Sequence, residues 1–174
     1  LDFGCQAWAA AMAASGTTVA GVGGGPTLPF AVYRADLPQR GNPAAAAITR
    51  CSPLPAGLPD RAYLPIPTST TFRTEAGVEV HAHVYAPTNP GFGGPAGELP
   101  PYVMFAHGGP TGSVQPALDL EIAYFTSRGI GVADVNYGGS TGYGRAYRER
   151  LRHGWGVVAV DDCAAVARGL VAAG

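Results

Sequence analysis

The sequence predicts two unlike units in series, a β-rich stretch over residues 1–60 and an α/β unit over 61–174. Three observations carry this. Short apolar stretches broken by Gly and Pro fill the first part. A segment with five prolines, 51–67, separates the parts, and beyond residue 100 apolar runs alternate with helix-spaced stretches. Strand, helix, strand, helix implies parallel strands joined by right-handed crossovers, hence a three-layer α/β sheet.

In the first unit, 17–22 and 30–34 read as strands, the second with apolar alternation, and 45–49 as a third. The glycine run 23–25 with Pro26, and the stretch 38–43, read as the turns between them. Strands so spaced suit a sandwich or a propeller blade. Residues 51–67 read as a linker. Next, 71–75 and 78–85 pattern as a hairpin turning at Ala76 and Gly77. A loop rich in Pro and Gly, 87–101, leads to the continuous apolar run 102–106, which suits a strand covered on both faces. Residues 117–128 have helical spacing, with Leu118, Ile122 and Phe125 on one side and Arg128-Gly129 as a stop. A second buried-type strand follows at 130–137. The stretch 158–172 is a second helix, with Val160, Ala164, Ala167 and Val171 as its inward stripe and Asp161 and Asp162 near its positive end.

Composition excludes several classes. The chain is 47% hydrophobic and only 13% charged, too apolar for a disordered segment. A net charge of -1 offers no electrostatic footprint for nucleic acid or an anionic membrane surface. Its basic side chains other than histidine are all arginine. Cys5, Cys51 and Cys163 are odd in number and lack a CxxC pair, so they read as small buried hydrophobes in a reducing, cytoplasmic setting rather than a disulfide framework or a zinc site. The apolar stretch 7–14 follows Asp2 and has no basic region before it, so it does not read as a signal peptide. No run approaches the ~20 apolar residues of a membrane span. Both ends read as cut.

The chemistry centres on His107-Gly108-Gly109-Pro110, at the end of the run 102–106. Ligand sites in open α/β sheets gather at the carboxyl ends of strands. Two glycines there let the backbone approach a substrate and aim N–H groups at it. Such donors suit the oxyanion of a tetrahedral intermediate, each worth roughly 3 kcal/mol, and an HGGG-type loop plays this part in α/β-hydrolases.

Other residues carry less. Gly138-Gly139-Ser140-Thr141-Gly142 matches the Gly-x-Ser-x-Gly of a nucleophile elbow. Chain order argues against Ser140, because an acid and then a spaced His must follow the nucleophile. Only Glu149 and His153, four apart on one expected helix, do so. His81 and His83 alternate on a strand and face one side, as a metal pair would, but no third ligand accompanies them. Tyr143 and Trp155 read as loop packing, and His153 as a helix-end histidine.

The stretches PYVMFAHGGPTGS, YFTSRGIGVADVNYGGSTGYGRAYRERL and GWGVVAVDDCAAVARGL resemble the catalytic domain of the prolyl oligopeptidase family, in its bacterial acylaminoacyl-peptidase and dipeptidyl-peptidase-like branch. The similarity is strong over 62–174. This resemblance implies the last strands of a β-propeller and a linker over 1–60, then the first half of an α/β-hydrolase peptidase domain over 61–174. It also implies a serine peptidase acting on short peptides with a Ser-Asp-His triad and no cofactor. Gly109, with Gly108 beside it, maps onto the oxyanion loop, and His107 onto the residue that orients that loop. The nucleophile and the triad Asp and His would lie beyond residue 174. Many relatives carry Arg where Gly138 stands. Two other readings remain open: an esterase or lipase on the same fold, and a non-catalytic binding module if the chain is complete. The residues assign no oligomeric state, no nucleic-acid partner and no membrane partner.

Overall fold

The structure, a computed structural model, describes residues 5–38 and 46–174. The first unit is one antiparallel sheet in the order β1-β2-β3-β4, formed by Ala7–Ser15, Thr18–Gly25, Leu28–Asp36 and Ala47–Arg50. Two of the expected strands are present, and β4 lies where the third was expected. Ala45 and most of the turn expected at 38–43 lie outside the described residues. β1 was not anticipated as a strand at all. The glycine run is not a turn either: Gly23–Gly25 end β2, and the chain reverses at Pro26-Thr27. The reason is packing against β1. A Cβ on Gly23 would lie 3.1 Å from the Trp8 ring and one on Gly21 3.3 Å, so these two glycines form a shelf under that indole.

After an irregular linker with a 3₁₀ turn at Arg61–Tyr63, the second sheet begins. Its strands are β5 (Thr68–Arg73), β6 (Glu79–Tyr85), β7 (Tyr102–Ala106) and β8 (Gly131–Asn136), in the order β5-β6-β8-β7. β5 and β6 form the expected hairpin, β6 runs antiparallel to β8, and β8 runs parallel to β7. The connection from β7 to β8 passes through α1 (Leu120–Thr126). After β8 come α2 (Gly144–Glu149) and α3 (Val157–Ala173). Ile122 of α1 packs with Tyr85 and Val132 on one face of the sheet. Val166 of α3 packs with Val80, Ala82, Ala133 and Val135 on the other. The three layers are therefore as expected, and none of the first four strands joins this sheet.

Three details differ from the sequence expectation. First, α1 starts at Leu120, not 117. The Asp119 carboxylate accepts the N–H groups of Glu121 and Ile122, an N-cap that fixes the boundary. Second, β7 is half-buried rather than covered on both faces, since it lies at the sheet's edge among the described residues, whereas β8 is interior and almost wholly buried. Third, α3 turns a different face inward. Asp162, Ala165 and Val166 are buried, while Val160 and Val171 are 67% and 82% exposed. α3 is apolar around most of its circumference, so apolarity alone could not orient it.

One close approach locks β7 to β8. Gly131 pairs with Tyr102, and a Cβ on Gly131 would overlap the Tyr102 ring. In the full-length protein Gly131→Ala is expected to destabilise by about 1–3 kcal/mol through overpacking, read from a shifted midpoint of urea unfolding. An unchanged midpoint would contradict this packing.

Candidate active site

His107, Gly108 and Gly109 follow directly on β7, at the carboxyl end of the parallel pair β7 and β8. Gly109 has φ +63°, a left-handed conformation that glycine adopts without penalty. Both glycines are exposed, and neither N–H has an acceptor within the described chain. A Cβ on either would meet nothing within 4 Å. The loop thus presents two open donors at a strand end. It faces open solvent: a cavity of about 940 Å³ lies at the opposite end of the strands, against Pro101 and Gly129.

The loop itself is held rigidly, by the turn that follows β8. The Tyr137 hydroxyl donates to the His107 carbonyl at 2.7 Å, and the two rings stack with centroids 4.5 Å apart. The Ser140 hydroxyl donates to the Tyr137 carbonyl, and its oxygen lies 2.7 Å from His107 Nε2. Farther along, the Asn136 amide imitates a strand neighbour for Val114. Its Oδ1 accepts the Val114 N–H and its Nδ2 donates to the Val114 carbonyl. Thr141 N–H donates to the Gly112 carbonyl. On the other side of the loop, the Trp8 N–H of β1 donates to Gln115 Oε1 at 2.9 Å and ties the first sheet to it.

Ser140 cannot be an elbow nucleophile in this arrangement. Its side chain is fully buried and its hydroxyl is committed to Tyr137. An elbow serine is exposed on a strained turn, yet among described non-glycine residues only His153 has positive φ. His107 is likewise engaged: its Nε2 lies 2.7 Å from the Ser140 hydroxyl and its Nδ1 3.0 Å from the Gly108 carbonyl.

With this geometry in place, the likeness to known proteins is specific. A model of the prolyl oligopeptidase family matches residues 116–174. A Mycobacterium tuberculosis puromycin-hydrolyzing peptidase is 55% identical, with a TM-score of 0.87 over 95% of this chain. Residues 116–174 thus carry the prolyl oligopeptidase family's pattern, and the chain as a whole is similar to this peptidase. A puromycin hydrolase is 52% identical, with a TM-score of 0.86 over 96% of this chain. The chain spans about a quarter of the length of these relatives, 25% and 24% respectively. A Pyrococcus horikoshii acylaminoacyl peptidase shares the fold at 18% identity, with a TM-score of 0.71 over 97% of this chain and 25% of its own. No curated protein sequence matches.

At Gly138 there is no room for a side chain. A Cβ on Gly138 would lie 2.7 Å from Cζ of Arg150, whose guanidinium stands there. Asp162 is also placed differently from the expectation. It does not sit in the first turn of α3 as a dipole partner, because α3 begins at Val157. Its buried carboxylate instead accepts the Gly138 N–H and pairs with Arg150. Sequence reading missed Tyr137, Asn136 and Arg150 altogether. A polar Asn ending an apolar strand was the one visible hint.

The remaining singled-out residues form no second site. Nδ1 of His81 lies 3.1 Å from the Thr71 hydroxyl, and Nδ1 of His83 lies 3.1 Å from that of Ser69. No group of three metal-ligating side chains exists among the described residues. Tyr143 packs as expected, stacked on His81 at 4.2 Å. Trp155 does not: it is 69% exposed. Glu149 and His153 do not share a helix, since α2 ends at Glu149, and the carboxylate of Glu149 lies nearest Arg152. His153 lies in the turn beyond α2 with φ 62°. Cys51 is exposed rather than buried.

One carboxyl stands out electrostatically. Burial on β8, with Asp119 nearby, pushes Asp134 up to about 6. Its folded value exceeds that of an unfolded aspartate, ~3.9, so the protonated form suits the fold. Its contribution is complete below about pH 4 and is lost as the pH rises through about 6. In the full-length protein Asp134→Asn is therefore expected to stabilise by about 1–3 kcal/mol above pH 7 and to change little at about pH 4. Thermal melts at both values test this, and an equal gain at both would contradict it. His81 and His83 shift the opposite way. Burial lowers both, so each favours the fold above the usual histidine range and loses that contribution in acid.

Proposed function

We propose that this chain is part of a serine peptidase and supplies half of its oxyanion hole. The observation that carries the reading is the Gly109 N–H: exposed, without an acceptor, at the end of a parallel strand, in a loop fixed through His107. In a full-length protein of the relatives' size, a serine beyond residue 174 would attack the substrate carbonyl. A histidine there would carry its proton and an aspartate would orient that histidine. Gly109, with Gly108 alongside, would receive the developing oxyanion, and His107 would hold the loop in place. On this reading 1–60 are the closing strands of a β-propeller and a linker, and 61–174 open an α/β-hydrolase domain. The separate antiparallel sheet and the mixed sheet support that division.

Short peptides are the proposed substrates, in the cytoplasm and without a cofactor. That similar proteins are named for hydrolysing puromycin supports the peptidase reading. No helix among the described residues is long and apolar enough to cross a membrane. The decisive assay compares an aminoacyl arylamide with an acyl ester of matching size. Amide turnover blocked by a fluorophosphonate supports the peptidase; turnover of the ester alone would make the protein an esterase, and turnover of neither would leave a binding module.

A further inference from the structure

We propose that the buried Asp162 and the half-buried Arg150 paired with it are a positioning device for the oxyanion loop, acting from α3 through the turn 137–140. The proposal rests on the oxyanion reading of Gly109. Asp162 is 1% exposed, and both of its oxygens are engaged. Oδ2 accepts the Gly138 N–H at 2.7 Å, and Oδ1 accepts from Arg150 Nη2 at 2.7 Å. Arg150 Nη1 donates to the Glu79 carbonyl of β6 at 3.0 Å. One carboxylate and one guanidinium therefore join α3, the end of α2, β6 and the turn after β8.

That turn is what grips His107. Two residues from Gly138 is Ser140, whose oxygen meets Nε2, and one residue before it is Tyr137, which holds the His107 carbonyl and stacks on its ring. A shift of Gly138 would move both contacts together, and His107 is covalently followed by the two glycines. Asp162 touches no reacting atom, so its effect is through the loop. Buried ion pairs contribute little net stability over apolar packing, and their better-attested use is to select one geometry. Here the geometry selected is a glycine backbone with no room for a side chain, against which the guanidinium lies.

The full-length enzyme tests this with Asp162→Asn, Arg150→Met and Arg150→Lys, each alone and combined with Gly109→Pro. Asp162→Asn and Arg150→Met are expected to lower kcat about tenfold or more with KM within about threefold, as for an interaction made in the transition state. Arg150→Lys should restore most of the loss. None should lower kcat further once Gly109→Pro is present, because the loop through which they act is already disabled. Unchanged kcat, a loss confined to KM, or full multiplicative losses on top of Gly109→Pro would overturn the proposal. If Asp162→Asn does not fold, the Arg150 pair decides by the same criteria. Normal turnover in Gly109→Pro alone would instead remove the oxyanion reading itself.

Discussion

Gly109→Pro in the full-length enzyme is expected to cut turnover roughly a hundredfold or more. Proline removes the N–H that would meet the oxyanion. It also fixes φ near -65°, whereas Gly109 sits at +63°, so the loop must rearrange as well. Gly109→Ala separates these causes. Alanine keeps the donor and meets no neighbour, leaving only the left-handed backbone cost of about 1–2 kcal/mol. Its loss should therefore be clearly smaller than that of proline. Steady-state kinetics on an aminoacyl arylamide provide the measurement. Near-normal turnover with proline would withdraw Gly109 from the site.

A polypeptide of residues 1–174 by itself is expected to aggregate or behave as a molten species, and to leave a fluorophosphonate probe unreacted. β7 has one hydrogen-bonded neighbour among the described residues, β8, so its other side presents open backbone donors and acceptors. Such an edge is an aggregation hazard. Beside it, α3 exposes Val157, Val160 and Val171, each more than 60% accessible. Leaving about 400 Å² of apolar surface in water forfeits roughly 10 kcal/mol at ~25 cal/mol per Å², comparable with the stability of a whole domain. Dye binding, sedimentation and near-UV dichroism report the state. A monodisperse polypeptide with a cooperative melt would contradict the first half. Stoichiometric labelling at Ser140, abolished by Ser140→Ala, would contradict the second and restore Ser140 as a nucleophile despite its burial.

Much of this architecture is written locally. The run 102–106 matches β7 residue for residue, and the hairpin, β8, α1 and α3 fall within a few residues of their periodic stretches. Each is specified by its own neighbours: continuous apolarity, a turn at Gly77, a stop at Gly129. His107-Gly108-Gly109-Pro110 is legible for the same reason, because glycine's lack of a Cβ is a property of the residue itself.

What only the tertiary structure decided are pairings between distant residues. Ser140 lies 33 positions from His107, and Asp162 lies 24 from Gly138. Hydrogen bonds of that span leave no periodic trace, so Ser140 read as half of a nucleophile motif and Asp162 as a helix-end charge. The inward face of α3 was undecided for a related reason. Its circumference is mostly apolar, and the choice fell to the face that could bury Val166 against β8 while seating the Asp162 carboxylate on two donors. β1, an alanine-rich stretch without alternation, became a strand because the glycines of β2 left space for Trp8 across the pair. Local chemistry determined the elements and the donor loop; satisfaction of buried polar groups across the sheet determined how that loop is held.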